Sequence, residues 1–188
     1  MRPAPPSLQI TRAVSVLHRG GVIAYPTEAV WGLGCDPADE SAVGHLLSLK
    51  RRPVDKGLIL VASDEAQLAW LLEDLSADQR QRLSQSWPGP VTWLLPHRGR
   101  VPPWIHGDHE TVAVRVSDHP VVRALCDAWD GVMVSTSANR AGCNAALHQY
   151  QVRRYFTSGL DFVVPGAVGA AGRPSQIRDL ANDRIIRP

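Results

Sequence analysis

Two short stretches carry residue types that suit chemistry on an anion. The first is Lys50-Arg51-Arg52-Pro53-Val54-Asp55-Lys56-Gly57, four cations within seven residues, following a helical pattern and preceding an apolar run. A helix dipole favours cations at its C-terminus, and that explains Lys50 or Arg51 without any ligand. It explains Arg52 and Lys56 less well, because they flank a rigid proline at the entrance to a strand. There arginine can offer paired donors, and lysine a point charge, to phosphate oxygens. The second stretch is Val134-Ser135-Thr136-Ser137-Ala138-Asn139, three hydroxyls and an amide at the end of an apolar segment. Such groups donate to phosphate or carboxylate oxygens, although a Ser/Asn turn or helix cap uses the same residues. Together the two stretches predict a pocket for an anionic, nucleotide-like ligand.

Two further segments are open to two readings. Pro26-Thr27-Glu28-Ala29-Val30-Trp31-Gly32-Leu33-Gly34-Cys35-Asp36 follows a predicted strand and reads either as a glycine-rich ligand loop or as a turn over a buried tryptophan. In Thr111–Val116, Arg115 alternates with Val114 and Val116, so it either faces solvent or enters a cleft to meet a carboxylate. Several devices are missing. There is no GxxxxGK[ST] loop, no GxGxxG and no Gly-x-Ser-x-Gly elbow. His106 and His109 have no third ligand at useful spacing, so a metal site is not expected there. Cys35 and Cys143 have no histidine partner that the sequence can place.

The elements that must hold these residues alternate. Helical spacing covers Ile10–Leu17, with Ser7 as N-cap and Gly20-Gly21 as the stop, and again Asp39–Lys50. Further helices are predicted from the Ser63/Asp64 cap through Leu72, after a capping box at Ser76–Gln79, after an Asp118 cap, and over His148–Tyr155. Strands are predicted at Val22–Tyr25, Leu58–Val61, Val91–Leu95, Thr111–Val116, Val132–Ser135, Phe162–Val164, Ile177–Leu180 and Arg184–Ile186. Pro96–Pro103 reads as a surface loop. Interleaved helices and strands with connections of varied length imply an α/β fold with one open, mixed sheet.

The 188 residues suit a single domain, 1–188, with 1–6 as a flexible arm. The hydrophobic fraction of 44% supports a sizeable core. The arm has no apolar stretch behind its charge, so no secretion signal is expected. No apolar run nears the roughly 18–20 residues that span a bilayer, and no membrane role is expected. Three scattered cysteines argue against a disulfide framework and fit a reducing cytoplasm. A net charge of +2 is too mild to imply nucleic-acid binding by itself, so any basic site must be local.

Six stretches, in order, resemble the threonylcarbamoyl-AMP synthase family, the YrdC/Sua5-like proteins, in its short single-domain bacterial form. They are PTEAVWGLGCDP (26–37), KRRPVDKGLIL (50–60), WPGPVTWLLP (87–96), VAVRVSDHP (112–120), VSTSAN (134–139) and PSQIRD (174–179). The resemblance implies a twisted open α/β sheet, a YrdC-like fold, with a concave, positively charged pocket. It implies a nucleotidyltransferase that converts L-threonine, bicarbonate or CO2, and ATP to L-threonylcarbamoyladenylate and pyrophosphate. The adenylate would serve threonylcarbamoylation of adenosine 37 in tRNA, and Mg2+ would accompany the ATP. By similarity Lys50, Arg52 and Lys56 would be catalytic and face the phosphates. Thr111, Ser137, Asn139, Ala145 and Arg187 would also lie near ATP, and Thr27, Arg115, Ser135 and Ser175 would hold threonine. Partners implied are the downstream tRNA threonylcarbamoyl transferase proteins and a contact with tRNA or double-stranded RNA.

The chain departs from the family pattern twice. Arg140-Ala141-Gly142-Cys143-Asn144-Ala145 lacks the proline that many members carry after the SAN run, and Gln176 stands where many have threonine. One rival reading is an RNA-binding module using the same basic surface without catalysis. Another is a hydrogenase-maturation relative using carbamoyl phosphate, but such proteins are much longer and carry zinc-finger cysteines that are absent here.

Overall fold

In the computed structural model, residues 7–188 are described, and the expected arm, 1–6, lies outside them. In chain order the elements are α1 (Ser7–Leu17), β1 (Ile23–Pro26), β2 (Trp31–Gly34), α2 (Glu40–Lys50), β3 (Ile59–Ala62), α3 (Ala69–Leu72), α4 (Ala77–Ser84) and β4 (Val91–Pro96). They continue with α5 (Pro103–His106), β5 (Thr111–Val116), α6 (Pro120–Trp129), β6 (Met133–Ser137), α7 (Gln149–Tyr155), β7 (Phe162–Val163), β8 (Gln176–Asp179) and β9 (Ile185–Arg187). Nine strands form one mixed sheet in the order β7-β1-β2-β6-β3-β5-β4-β8-β9. The expected α/β class and mixed sheet are therefore present.

Local chemistry sets the element ends. Asp39 accepts a hydrogen bond from Ala42 N at 3.0 Å and starts α2, and Arg51 ends it in the left-handed conformation, φ 51°. The Ser76–Gln79 capping box forms as expected. Of the two readings of the stretch after Pro26, the turn over a buried tryptophan is present: residues 27–30 make a tight turn, and Trp31–Gly34, with Trp31 buried, returns as β2, antiparallel to β1. Two expectations are corrected. The N-cap of α6 is His119, whose Nδ1 accepts from Val121 N at 3.3 Å, while Asp118 turns its backbone N–H to another element. The predicted surface loop holds a buried Val101 and leads directly into α5, whose Ile105 is also buried.

The sheet positions the site through its register. On one face, Ser135 of β6 lies opposite Ile59 of β3, Ile59 opposite Ala113 of β5, and Ala113 opposite Leu94 of β4. One step along, Met133 lies opposite Val61 and Val61 opposite Arg115. Helices α1 and α6 pack over Ile23, Tyr25, Val61 and Met133 and cover only part of this face. The remainder is an open cavity. The other face carries the larger core, in which Trp31, Leu33, Leu46, Leu60, Trp93, Val112 and Val114 are all buried. Leu60 is a fully buried side chain of central strand β3. Leu60→Ala is expected to cost about 2–5 kcal/mol in urea unfolding with an unchanged m-value.

Candidate functional site

The cavity has a volume of about 490 Å3. Its first wall is the turn joining β1 to β2. Thr27 donates through its hydroxyl to Val30 O at 2.8 Å, which leaves the hydroxyl oxygen free to accept. The segment before β8 straps this turn down, with Gly169 N donating to Thr27 O at 2.9 Å and Ala171 N to Glu28 O at 3.1 Å. A Cβ on Gly169 would meet Glu28 O at 2.8 Å, so the strap needs glycine there.

The second wall is β5. Its odd positions, Thr111, Ala113 and Arg115, line the cavity, while Val112, Val114 and Val116 are buried in the core opposite. The cleft reading of Arg115 is the one the structure shows. Arg115 Nε donates to Gly89 O at 3.1 Å, and its Nη2 is ion-paired with Glu28 Oε2. Glu28 Oε1 accepts from Ser117 Oγ at 2.6 Å and from Asp118 N at 3.2 Å. Burial pushes the Glu28 carboxyl up, but the Arg115 charge and the Ser117 hydroxyl outweigh it and hold the group below the usual carboxylate range. His119 completes this corner. Its Nδ1 accepts from Val121 N, so the proton sits on Nε2, which donates to Ala167 O at 3.3 Å. Burial lowers its pKa and favours this neutral form.

The third wall combines the end of β6 with the cationic loop. Ser137 Oγ donates to Asn139 Oδ1 at 2.6 Å, and Asn139 Nδ2 donates to Arg140 O at 3.1 Å and Cys143 O at 2.8 Å. Arg52 Nη2 donates to Lys56 O at 3.2 Å and Gly57 O at 2.9 Å, which curls the loop around the guanidinium. Its Nε is buried without a partner, and burial lowers its pKa. An unmet buried donor costs about 1–3 kcal/mol, so an arriving anion would be favoured there. Helix α5 buttresses the loop: Leu58 N donates to Ile105 O at 2.8 Å, and Asp108 N to Asp55 O at 3.2 Å. Gly107, at φ +61°, allows that approach, since a Cβ would lie 2.3 Å from Asp55 O. The fourth wall is the C-terminal hairpin, where Arg187 Nη2 donates to Ser175 O at 2.7 Å and Thr92 Oγ1 donates to Ser175 Oγ at 2.8 Å.

Eleven of the twelve residues predicted from sequence line this one cavity: Thr27, Arg52, Lys56, Thr111, Arg115, Ser135, Ser137, Asn139, Ala145, Ser175 and Arg187. Lys50 does not. Its side chain is 4% exposed, and its ammonium donates to Ser137 O and to Asn139 O, the latter at 3.0 Å. Burial, with the Arg52 charge behind it, brings its pKa down to about 8. Its backbone carbonyl also accepts from Ala141 N at 2.9 Å. In this structure Lys50 therefore ties the Ser137–Ala141 loop to the end of α2 from behind. Sequence reasoning did not single out Glu28, Ser117 or Arg173, or the cavity positions of His106 and His109. Glu28 and Ser117 lay inside flagged motifs, PTEAVWGLGCDP and VAVRVSDHP, and His106 and His109 were weighed only as metal ligands. Cys35 is buried with its thiol pushed up by burial, which does not suit a nucleophile.

Among the described residues the lining holds five basic side chains, Arg52, Lys56, Arg115, Arg173 and Arg187, against one carboxylate, Glu28. The Sua5/YciO/YrdC family model, described as "Telomere recombination", matches residues 15–188. The chain belongs to this family. It is 57% identical over 179 residues to a threonylcarbamoyl-AMP synthase of Saccharophagus degradans, covering 95% of this chain and 94% of that one. It is 56% identical over 180 residues to the protein of the same name from Stutzerimonas stutzeri, covering 96% and 97%. Among solved structures it is similar to P. abyssi Sua5 complexed with L-threonine, with a TM-score of 0.90 and 30% identity. That match covers 97% of this chain but 54% of the P. abyssi protein, so the chain spans about half of that relative's length. No helix among the described residues is long and apolar enough to cross a membrane.

The Glu28 pairing has a pH signature. Its folded pKa is depressed, so its contribution is present above the ordinary carboxylate value of 4.5 and is lost as pH falls below it towards the folded value. Wild type is expected to be more stable than Glu28→Gln in urea at pH 6, with the difference shrinking as the pH drops below 4.5.

Proposed function

We propose that this chain is a threonylcarbamoyl-AMP synthase. It condenses L-threonine, bicarbonate or CO2, and ATP into L-threonylcarbamoyladenylate, releasing pyrophosphate, and water as well when bicarbonate is the carbon source. The observation that carries the reading is the single cavity in which eleven residues expected for two substrates converge, in a chain 57% identical to a protein of that name. P. abyssi Sua5 complexed with L-threonine supports the amino-acid half of the reading.

The chemistry asks for positioning and charge more than for a protein nucleophile. Threonine's amine forms a carbamate with CO2, a carbamate oxygen attacks the α-phosphorus of ATP, and pyrophosphate leaves in line. Arg52 and Lys56 would meet the phosphates, with Arg187, Thr111, Ser137, Asn139 and the backbone at Ala145 on the nucleotide side. Arg115 would take the threonine carboxylate, with Thr27, Ser135 and Ser175 around it. Lys50 would serve ATP indirectly, by fixing the Ser137–Asn139 loop. Mg2+ would enter with the triphosphate, since it prefers phosphate oxygens and water to an all-protein cage. Among the described residues no three His, Cys, Asp or Glu side chains gather as a metal cluster. In this reading residues 1–188 form one domain working in the cytoplasm. Its adenylate passes to tRNA threonylcarbamoyl transferase proteins, and tRNA is the eventual acceptor. RNA binding alone has no comparable support, because the curated relatives carry the synthase name.

Pyrophosphate release is expected only when ATP, threonine and bicarbonate are all present. Release that continues unchanged without threonine would sink the assignment. Arg52→Ala and Lys56→Ala should mainly raise the KM for ATP. Arg115→Ala should raise the KM for threonine by at least about tenfold, the loss expected for a charge-assisted pair.

A further inference from the structure

The cavity's lining carboxylate is not accounted for by phosphate binding, because it sits among cations in a site for anions. Glu28 is also held with care. Its side chain is 15% exposed, and it takes one hydrogen bond from a hydroxyl, one from a backbone N–H and one ion pair. An ionised carboxylate accepts at about four lone-pair positions, so roughly one remains. Arg115 is in a similar state. Of about five guanidinium N–H donors, Gly89 O takes one and Glu28 another, which leaves roughly three. On Glu28 the open position is on Oε2, because Oε1 takes both hydrogen bonds; Oε2 and Arg115 Nη2 are buried with no partner beyond their ion pair, so a substrate group that meets them enters with a small shift of the pair.

We propose that Glu28 receives the α-ammonium group of the amino-acid substrate, so that the Arg115–Glu28 pair recognises the substrate as a zwitterion. This rests on the reading that an amino acid occupies the Arg115 end of the cavity. An α-amino acid carries its carboxylate and ammonium on one carbon, side by side, with opposite charges. A contact ion pair presents the same two charges side by side and can meet them in reverse order. The remaining lining charges cannot do this. Arg52, Lys56, Arg173 and Arg187 would all repel an ammonium, and the hydroxyls of Thr27 and Ser135 carry no charge. An ammonium brought into this basic cavity without an anionic partner would pay for its lost hydration. Glu28 is the anion in reach among the described lining residues. Its anchors, Ser117 Oγ and Asp118 N, hold Oε1, whereas Arg115 pairs with Oε2, so the carboxylate keeps its place when Arg115 engages the substrate. The same anchors favour the ionised form, so Glu28 docks the ammonium without taking its proton, which must pass to water or bicarbonate before the nitrogen lone pair attacks carbon.

The test is calorimetric binding of L-threonine and of the 2-hydroxy acid in which a hydroxyl replaces the amine, to wild type and to Glu28→Gln, with ATP titrated alongside. Wild type is expected to prefer threonine by at least about tenfold, the range of a charge-assisted hydrogen bond. Glu28→Gln should lose that preference, keep hydroxy-acid affinity within about threefold and keep ATP binding. Equal weakening of both acids would overturn the proposal, since that is what loss of Arg115 positioning alone produces. An unchanged preference would overturn it too. Should Glu28→Gln not fold, wild type alone decides: a preference below about twofold overturns the proposal. Wild type that binds neither acid overturns the amino-acid reading along with it, whereas threonine binding without amine preference overturns only the role of Glu28.

Discussion

The ion pair between Glu28 and Arg115 is the constraint on which the site depends. Glu28 stands on the β1–β2 turn and Arg115 on β5, and between β2 and β5 the sheet inserts β6 and β3. Three strand spacings amount to about 14 Å in a flat sheet. Two side chains can close that distance only because the sheet is twisted and the turn leans over its face. The pair therefore ties the β1–β2 turn across the sheet to β5. It also sets the position of Thr27 beside it, and of the strap through Gly169 and Ala171 that hydrogen-bonds to the same turn. A pair this enclosed is weak evidence for stability, because desolvation offsets much of its attraction. Its value lies in geometry: a carboxylate and a guanidinium held in fixed positions on an otherwise basic surface.

At the other end of the cavity the logic is reversed. Arg52 is wrapped by carbonyls of its own loop, yet one donor remains unmet, and Lys56 beside it is exposed. Lys50 spends its charge on the carbonyls of Ser137 and Asn139, behind the loop that ends β6. Through those bonds Lys50 fixes the Ser137–Asn139 segment, and with it two side chains that line the cavity. Of the four cations of one short motif, Lys50 braces, Arg51 ends α2, and Arg52 and Lys56 face the cavity. A transfer to phosphorus that relies on positioning and charge suits such an arrangement, and no nucleophile, triad or elbow is needed to explain it.

Much of this was legible in the sequence because the site residues sit at the ends of strands whose alternation is plain. Thr111–Val116 reads as a strand from its pattern, and the parity that buries Val114 sends Arg115 to the other face. The hairpin was less legible. Trp31-Gly32-Leu33-Gly34 has two glycines in four residues, a composition that favours a loop. Packing accounts for the glycines: a Cβ on Gly34 would lie 2.6 Å from Val134 O and 2.8 Å from the Tyr25 ring, and one on Gly32 would lie 3.2 Å from the Thr27 methyl. The role of Lys50 could not be read, since a helix-ending lysine looks the same whether its ammonium meets solvent, phosphate or carbonyls across 87 residues of chain. Glu28 lay within a motif already flagged, but its partners Ser117 and Asp118 are 89 and 90 residues away. Only the tertiary structure brings them together.

A crystal structure with L-threonine and a non-hydrolysable ATP analogue directly tests the assignment of opposite ends of one cavity to two substrates. The phosphates are predicted within hydrogen-bonding distance of Arg52 and Lys56, and the threonine carboxylate on Arg115 beside Glu28. Lys50 should still be bound to the carbonyls of Ser137 and Asn139. Threonine bound away from Arg115, or phosphates that leave Arg52 and Lys56 unengaged, would contradict it.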